Sequence, residues 1–588
     1  EKYSQEILSK PINFEENDEL ILEPKLKKYP QNQEELKNEW KKFIKYNILQ
    51  EIETLNAKEE TQREKKDSVN RLKLKDTIKL EILTPAQKQV KATEEVKDLM
   101  TSMFKRFQKR KKMDWFSVYM NAYTEVFDPH TNYFSPQDKE DFDVNFAGKV
   151  IGIGATIQES KGKIKIGTLV VGAPAWKSKQ ISEGDEILKV QSKKGEEPIN
   201  VTGMLVDEAV RFIRGEKGTE VVLTLKKKDG TIKEVKMIRE EVAIEDTFAR
   251  SIIINGANGK KYGFINLPSF NADFEDAKGR NASDDIKAEL IKLKAQNVEG
   301  IILDLRNNGG GSLTEVVDIM GLFMNSGPVV QVKDGNGRVQ VMRNKQNDPI
   351  WTGPLVIMQN ELSASASEIL AGAMQDYGRA VIVGSPQSFG KGTVQTFVEL
   401  NRFLNTSDDF GALKLTIQKF YRVNGKSTQL KGVESDIPMK DVFSYEEIGE
   451  RFDNYALPWD QVNSSSFTVN NSINVAELAK KSQSRMAQNK FYQLLLESAQ
   501  WREKLDKEEK ISLNLKEFEA VMKTRKAQID KFKPLIKYNN GLNFALHADE
   551  LARGKTDEVF AKKSENWMKN LKRDIYLQET VNIISELK

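Results

Sequence analysis

The 588-residue chain has no cysteine and only two histidines, His130 and His547. Without cysteine it can form no disulfide, no thiolate nucleophile and no cysteine metal site. The usual zinc sites need several Cys or His ligands, so we expect neither a metal nor another cofactor. A histidine-based catalytic triad would have to use one of those two residues. If the chain is an enzyme, we therefore expect its general base to be Lys, Asp or Glu.

Long apolar runs and an excess of one charge are also missing. No stretch approaches the ~20 apolar residues that cross a bilayer, so we expect no integral membrane segment. The chain has 91 basic and 87 acidic residues, and no basic stripe with interleaved aromatics, which makes nucleic acid a poor partner. It begins at Glu1 without an initiator methionine or a signal peptide. We expect a processed product whose targeting segment lies outside this sequence.

The hydrophobic period changes along the chain and predicts a multidomain protein of the α/β plus α+β class. Residues 1–143 have helical spacing, whereas 144–240 alternate with period two and contain a hairpin turn signal at 228–231. Residues 241–440 alternate strands with amphipathic helices, which predicts an α/β core with crossover connections. Residues 441–588 are helical again and rich in Lys and Glu.

A serine-rich string, Ser363-Ala364-Ser365-Ala366-Ser367-Glu368, follows a predicted strand and leads into a helix of small residues. A serine at such a turn places its hydroxyl at the helix N-terminus, where free N–H groups favour developing negative charge. The same spacing of Ser365 and Glu368 also fits a capping box, in which Ser365 is merely an N-cap. The two roles are compatible in position.

Lys391 lies between Gly390 and Gly392, just after another predicted strand. Burial would lower the pKa of this lysine, so that the neutral amine could take a proton from serine. A phosphate-binding loop is the main competitor. However, five residues separate Gly384 from Gly390, one more than that motif allows, and glycine follows the lysine. A solvated lysine without a role is the other alternative that this motif leaves open.

A glycine cluster, Gly309 to Gly311, follows the buried-type strand Gly300 to Leu305. Ligands gather at the C-terminal ends of strands in open α/β sheets, and glycine N–H groups there are the ingredients of an oxyanion hole. The cluster could equally be a flexible turn. Each of the three motifs is weak alone, but together they indicate an active site.

At these residues the chain resembles the C-terminal processing peptidases, and specifically the larger tail-specific proteases of Gram-negative bacteria. The strings that carry the resemblance are Ser-Ala-Ser-Ala-Ser-Glu from 363, Ala-Met-Gln-Asp-Tyr-Gly-Arg-Ala from 373, Gly-Lys-Gly-Thr-Val-Gln from 390, Leu-Arg-Asn-Asn-Gly-Gly-Gly from 305, Asp-Pro-His-Thr from 128 and Ala-Leu-Pro-Trp-Asp from 456. The resemblance implies a serine-protease core of the crotonase/ClpP-like superhelical βαβ type, with an inserted PDZ domain and a helical C-terminal extension.

The resemblance also implies roles for individual residues. Ser365 becomes the nucleophile, Lys391 its general base and Gln395 the residue that orients the lysine. The oxyanion hole is then built from backbone N–H groups of Ala366 and of the glycine cluster, in which we prefer Gly310 to Gly309.

The loop 385–389 is one residue longer than we expect for this family. It lies between the nucleophile and the base in the sequence, so the extra residue could disturb the distance between Ser365 and Lys391, and a surface bulge is the milder interpretation.

The region 144–240 is similar to a PDZ domain. Its carboxylate-binding loop matches Gly152, Ile153, Gly154 and Ala155, where N–H groups would capture a peptide C-terminus. The peptide would add as a strand beside this loop. Taken alone, these four residues also fit an ordinary tight turn.

The family implies protein substrates bound by their C-terminal tails, a regulatory adaptor protein as a further partner, and export to the periplasm at the inner-membrane face. Two other functions stay open from the residues. The chain could be a catalytically silent PDZ adaptor or scaffold, or a nucleotide-dependent enzyme that uses Lys391.

Overall fold

We describe the protein from a computed structural model of the chain. It describes residues 1–71, 82–160, 162–256, 259–273, 276, 279–403, 408–470 and 472–587, with the side chains of 68–71 left aside. The α-helices of this part are α1 (Lys2–Leu8), α2 (Gln33–Arg71), α3 (Pro85–Lys109), α4 (Lys112–Thr124), α5 (Pro136–Ala147), α6 (Pro174–Lys177), α7 (Val206–Ile213), α8 (Ala282–Ala295), α9 (Leu313–Gly321), α10 (Ala366–Asp376), α11 (Val475–Gln488), α12 (Lys490–Asp506), α13 (Leu515–Ile536), α14 (Ala548–Gly554), α15 (Glu558–Leu571) and α16 (Ile575–Glu586). The β-strands are β1 (Glu19–Ile21), β2 (Asn132–Phe134), β3 (Lys149–Gly152), β4 (Ala155–Ser160), β5 (Lys163–Leu169), β6 (Glu186–Gln191), β7 (Ile199–Asn200), β8 (Glu220–Lys226), β9 (Ile232–Ile238), β10 (Glu240–Ala243), β11 (Arg250–Asn255), β12 (Lys261–Asn266), β13 (Gly300–Asp304), β14 (Gly327–Asp334), β15 (Val339–Asn344), β16 (Leu355–Gln359), β17 (Val381–Gly384), β18 (Thr393–Glu399), β19 (Ala412–Tyr421), β20 (Ile437–Pro438), β21 (Lys510–Ser512) and β22 (Asn543–Ala545).

The chain divides into two compact units, one formed by Glu1–Trp115 with Glu497–Ile536 and the other by Phe116–Leu496 with Lys537–Lys588. The first unit is mainly helical. Helices α2 and α3 pack together around one apolar cluster, which also includes residues of α13. It also contains a small sheet in which β1 pairs antiparallel with β21. These two strands lie in regions that the sequence predicts as helical. None of the helices in the described residues is long and apolar enough to cross a membrane.

The second unit is built around a seven-stranded sheet with the order β20-β17-β16-β13-β12-β11-β22. In this sheet β12, β13, β16, β17 and β20 are parallel to one another. β11 and β22 lie at one side, and each pairs antiparallel with its neighbour. Alternate side chains of β13 and β16 enter two different apolar clusters, one with α8 to α10 and one with α11 and α16. Helices therefore cover both faces, which is why the central parallel strands are buried throughout. The predicted α/β core is confirmed.

A separate sheet with the order β4-β5-β6-β8-β9 forms the region predicted as a PDZ domain, with β7 paired to β6. Helix α7 belongs to the same region, and the predicted hairpin joins β8 to β9. β4 lies at the edge of this sheet, so one side of its backbone is unpaired there. This edge lies next to the predicted tail-binding loop.

A third sheet of the second unit has the order β15-β14-β19-β18, and β2 pairs with β19. The sequence places Asn132 to Phe134 at the end of the N-terminal helical region. In the structure these residues are a strand of the same sheet that carries β18. The pairing brings the Asp-Pro-His-Thr string next to β19, which is also the neighbour of β18, the strand that follows Lys391.

Candidate active site

Three of the loops that the sequence singles out leave the same edge of the seven-stranded sheet. The glycine loop follows β13, the serine loop follows β16 and the lysine loop follows β17, and these three strands are parallel neighbours. The C-terminal ends of such strands meet at one edge. Direct hydrogen bonds join the loops, because Ala364 N–H donates to Asn308 O and Phe389 N–H donates to Ser363 O, both at 3.0 Å.

Ser365 stands where the chain turns into α10. Its φ of 57° lies in the left-handed region, which is uncommon for a residue with a side chain and is often found at functional sites. Ser365 is half-buried, and the first helical N–H group after it, that of Ala366, has no protein acceptor among the described residues. The turn therefore presents a serine beside an unpaired N–H at a helix N-terminus, where negative charge is favoured.

Glu368 is fully buried, and its carboxylate ties the serine loop to the lysine loop. Oε2 accepts hydrogen bonds from the backbone N–H groups of Ser365 at 2.8 Å and Lys391 at 3.0 Å. Oε1 accepts from Gly390 N–H at 2.7 Å and from Ser388 Oγ at 2.6 Å. Burial raises the pKa of Glu368 to about 7, although these donors favour the ionised form. The sequence identified Glu368 as a capping partner but not its contacts with the lysine loop.

Lys391 is half-buried, and two acceptors fix its side-chain amine. Nζ donates to Gln395 Oε1 at 2.6 Å and to Thr393 O at 3.0 Å. Burial lowers the pKa of Lys391 to about 8, and the positive charge of Lys414 acts in the same direction. A neutral amine has two N–H donors and one lone pair, so these acceptors use both donors and leave the lone pair for a third group.

The predicted dyad is brought together through the backbone and not through a direct side-chain hydrogen bond. One oxygen of Glu368 contacts the main chain of both Ser365 and Lys391, so the two residues lie side by side. Within the described residues, Lys391 Nζ makes no hydrogen bond to Ser365 Oγ. Catalytic hydrogen bonds commonly tighten only when substrate is bound.

Gln395 is held by hydrogen bonds that end on the buried Asp128. Its Nε2 donates to Thr416 Oγ1 at 3.0 Å, and Thr416 Oγ1 donates to Asp128 Oδ1 at 2.9 Å. Asp128 is 5% exposed and also accepts from His130 N–H at 2.9 Å. The chain of bonds directs the amide oxygen of Gln395 towards Lys391. No role is predicted for Asp128 from the sequence, and Thr416 lies on β19 without any local motif that could have identified it.

Gly310 lies against the predicted nucleophile. Its φ is +111°, and a Cβ there would lie 2.9 Å from Ser365 Cβ and 3.0 Å from Ala364 O, so a larger residue does not fit. The N–H of Gly310 donates to Asn308 Oδ1 at 2.9 Å and must leave it before serving as an oxyanion donor. Gly309 is exposed, and its N–H has no acceptor in the described part of the protein.

The loop 385–389 is packed into the site, so its interpretation as a surface bulge is wrong. Ser385 and Ser388 are at most 1% exposed. Ser388 Oγ donates to Glu368 and accepts from Val433 N–H at 2.7 Å, so it bridges two buried groups. The loop therefore helps to place Lys391 and does not simply project into solvent.

Neither histidine forms a triad with Ser365. His130 Nε2 lies 2.7 Å from Glu450 Oε2, and Glu450 is fully buried. His547 is 4% exposed, and its Nε2 lies 2.8 Å from the hydroxyl of Ser251, which is itself buried. A substrate has no access to such a buried serine. The described residues also contain no cluster of three or more His, Asp or Glu side chains that could hold a metal ion.

The predicted tail-binding loop, Gly152 to Ala155, joins β3 to the edge strand β4. The carbonyl groups of Ile153 and Gly154 accept hydrogen bonds from Ala175 N–H at 2.8 Å and Val170 N–H at 2.9 Å. By contrast, the N–H groups of Ile153 and Gly154 have no protein acceptor among the described residues. Unpaired N–H groups beside an edge strand are what a peptide carboxylate and an added strand require.

Comparisons with known proteins match the chain to three family models in succession. They are the tail specific protease N-terminal domain over residues 1–137, peptidase family S41 over 261–439 and the C-terminal domain of tail specific protease over 443–588. The chain is 37% identical over 482 residues to a tail-specific protease of Haemophilus influenzae, which covers 80% of this chain and 64% of that protein. It is 30% identical over 311 residues to the carboxy-terminal processing protease CtpA of Bacillus subtilis, which covers 53% of this chain and 60% of that protein.

Among solved structures, the PDZ domain of a carboxy-terminal protease from Vibrio cholerae in complex with peptide is 36% identical. This match covers 16% of the present chain and 97% of that one, with a TM-score of 0.15. The chain spans less than two thirds of the length of the two curated relatives.

The peptidase family S41 model spans most of the α/β core, including the serine and lysine loops at its edge. The chain belongs to peptidase family S41, within its tail-specific proteases that combine an N-terminal domain, a PDZ domain and a C-terminal domain. The resemblance stated from the sequence is thereby confirmed.

Proposed function

We propose that this protein is a serine endopeptidase in which Ser365 is the nucleophile and Lys391 is the general base. The observation that carries the proposal is the state of the Lys391 amine. Burial lowers its pKa to about 8, and Gln395 and Thr393 occupy both donors of its neutral form. The remaining lone pair is therefore free to accept a proton. One carboxylate oxygen of Glu368 binds the backbone N–H groups of both Lys391 and Ser365, which holds the two residues side by side.

In the proposed reaction, neutral Lys391 takes the proton of Ser365 as its Oγ attacks a peptide carbonyl. Backbone N–H groups of Ala366 and of Gly310 or Gly309 hold the oxyanion, and one such donor typically contributes about 10²–10³ in rate. The protonated lysine then gives its proton to the leaving amine, and an acyl group stays on the serine. Water hydrolyses this acyl-enzyme with Lys391 again acting as the base.

Tail recognition by the PDZ domain is the second part of the proposal. The unpaired N–H groups of Ile153 and Gly154 would receive the terminal carboxylate, and the preceding residues would pair with the edge strand β4. The related PDZ domain from Vibrio cholerae was solved with a peptide, which supports a peptide ligand here. The substrates are thus proteins with accessible C-terminal tails, and a regulatory adaptor is a further proposed partner.

Two broader expectations also belong to this proposal. The parallel strands and crossover helices of the core support the crotonase/ClpP-like superhelical βαβ type. A periplasmic location, at the inner-membrane face, follows from the family resemblance alone. Fractionation of cells that express the full-length gene product would test it.

A cleavage assay separates this proposal from a catalytically silent adaptor. The substrate is an unstructured reporter protein with an apolar tail, and the enzymes are the wild type and Ser365→Ala. We expect the wild type to fragment the reporter, and Ser365→Ala to bind it with unchanged affinity but leave it intact. Wild-type cleavage by Ser365→Ala would refute the assignment of the nucleophile. Binding without cleavage by the wild type would establish the adaptor function instead.

A further inference from the structure

A cavity of about 550 Å³ opens beside the tail-binding loop, and two different parts of the second unit line it. One side consists of the PDZ domain with the segment that follows β10. The other side belongs to the C-terminal region, at the end of α14 and the first turns of α15. The residues of this second side are Arg553, Asp557, Val559, Phe560 and Lys563.

The second side is an ordered part of the fold. Asp557 caps α15, since its Oδ1 accepts from Phe560 N–H at 2.9 Å. The guanidinium of Arg250, on the core strand β11, stacks on the rings of Phe560 at 4.8 Å and Trp567 at 4.6 Å. These contacts fix the position of α15 against the core, so Val559 is presented to the cavity from a fixed element.

The charged residues of the second side are already paired. The two terminal guanidinium nitrogens of Arg553 each lie 3.1 Å from a carboxylate oxygen of Glu245, and Lys563 Nζ lies 2.9 Å from Asp246 Oδ2. Glu245 and Asp246 belong to the segment that joins the PDZ domain to the core. These carboxylates neutralise the charges of Arg553 and Lys563. What the second side offers to a ligand is therefore the half-buried apolar side chain of Val559.

We propose that α15 is the second wall of the tail site and that Val559 selects an apolar side chain near the end of the bound tail. This inference rests on the tail-binding function proposed above. A tail anchored at Ile153 and Gly154 would run along β4, whose residues 155–157 line the same cavity. An extended strand advances about 3.4 Å per residue, so three β4 residues match roughly the last three residues of the tail.

The chemistry of the remaining lining supports an apolar tail. The PDZ side of the cavity contributes mostly aliphatic side chains, and they include Ile153, Ile157, Leu169, Val210, Ile213 and Val242. An uncompensated charge in such a setting is unfavourable, whereas an apolar side chain is stabilised by burial. The C-terminal region therefore shapes specificity directly, in addition to covering one face of the core sheet.

Peptide binding to the full chain tests the inference, with Ser365→Ala as background so that no peptide is cleaved. Fluorescence anisotropy gives the Kd of a labelled ten-residue peptide with an apolar end and a free carboxylate. Single Lys or Asp residues are placed at each of its last four positions. The variants are Val559→Asp and Val559→Lys, and Lys562→Gln is the control because Lys562 is exposed on the same helix outside the cavity.

We expect Val559→Asp to weaken binding of the apolar peptide about tenfold, equivalent to about 1.4 kcal/mol. At one tail position this variant should now prefer Lys over Asp, and Val559→Lys should prefer Asp over Lys. Aspartate is favourable in the first turn of a helix, so the substitution leaves α15 able to form. An inverted charge preference is a result that structural damage alone does not produce.

Three results would refute either the second wall or the tail site itself. If both Val559 variants bind every peptide as Lys562→Gln does, or lose all binding without a charge preference, the second wall is refuted. The proposed tail site itself fails separately, if the parent protein binds the free-carboxylate peptide no better than its C-terminal amide. Dependence on the free carboxylate with indifference to Val559 would overturn this inference alone.

Discussion

The pH dependence of cleavage tests the role of Lys391 most directly. A lysine with its ordinary pKa of 10.5 is neutral in only about 0.03% of molecules at pH 7. With the pKa lowered to about 8, the neutral fraction at pH 7 is about 10%. Burial therefore raises the concentration of the reactive base about 300-fold at neutral pH.

The sign of the effect follows from which form reacts. Only the deprotonated amine accepts the serine proton, so activity is lost as the pH falls through the pKa of Lys391. We expect kcat/KM to rise tenfold per pH unit below about 8 and to level off above it. Because the charge of Lys414 helps to lower this pKa, Lys414→Met should move the inflection to higher pH. Lys426→Met, at an exposed site, should leave it in place.

The assay is the cleavage of a fluorogenic peptide from pH 6 to 10, with Ser365→Ala as the blank. The stability of each variant is checked over the same range by circular dichroism. Activity that still rises tenfold per pH unit up to pH 10, or activity that does not change with pH, would refute the role of Lys391 as a base with a lowered pKa. A Lys414→Met profile that superimposes on that of the wild type would refute the electrostatic part alone.

Two further predictions concern Glu368 and Gly154. Glu368→Gln should reduce kcat/KM at least about tenfold, because four donors converge on a carboxylate that an amide cannot replace. The substitution should also remove any separate inflection near pH 7 from the pH profile of kcat/KM, because Glu368 has a pKa of about 7. An inflection near pH 7 that persists in Glu368→Gln would show that another group causes it. Gly154→Ala should weaken tail binding more than tenfold, because φ is +70° and the new Cβ would lie 2.1 Å from Ala173 Cβ. Gly230→Ala is the control, because Gly230 also has a positive φ, of 89°, but a Cβ there would meet no atom. Calorimetry and peptide binding of the two variants therefore separate the effect of backbone strain from that of the clash.

The sequence predicted those parts of the site that depend on local strings. A strand followed by a short loop and a helix is recognisable from periodicity, and parallel strands necessarily end at one edge. The grouping of the Ser365, Lys391 and glycine loops is therefore predictable without coordinates. By contrast, Thr416 meets Asp128 across 288 positions of sequence, and no local pattern records that hydrogen bond.

Long-range pairing also explains what the sequence missed in the fold. β1 and β21 form a sheet although Glu19 pairs with Ser512, and Glu497–Ile536 joins Glu1–Trp115 in one unit. Each of these segments has an ordinary helical or mixed pattern by itself. Likewise, the pattern of α15 shows that Val559 and Phe560 are apolar but not that a PDZ groove lies beside them.

The separation of the two sites bears on the kind of cleavage. In the proposed function, the terminal carboxylate is held by the N–H groups of Ile153 and Gly154, on the loop before β4. The same end of the substrate cannot simultaneously reach Ser365, which follows β16 in a different sheet. In the proposed function, the bond that is cut would therefore lie upstream of the captured tail, and we expect the tail to be released as a fragment.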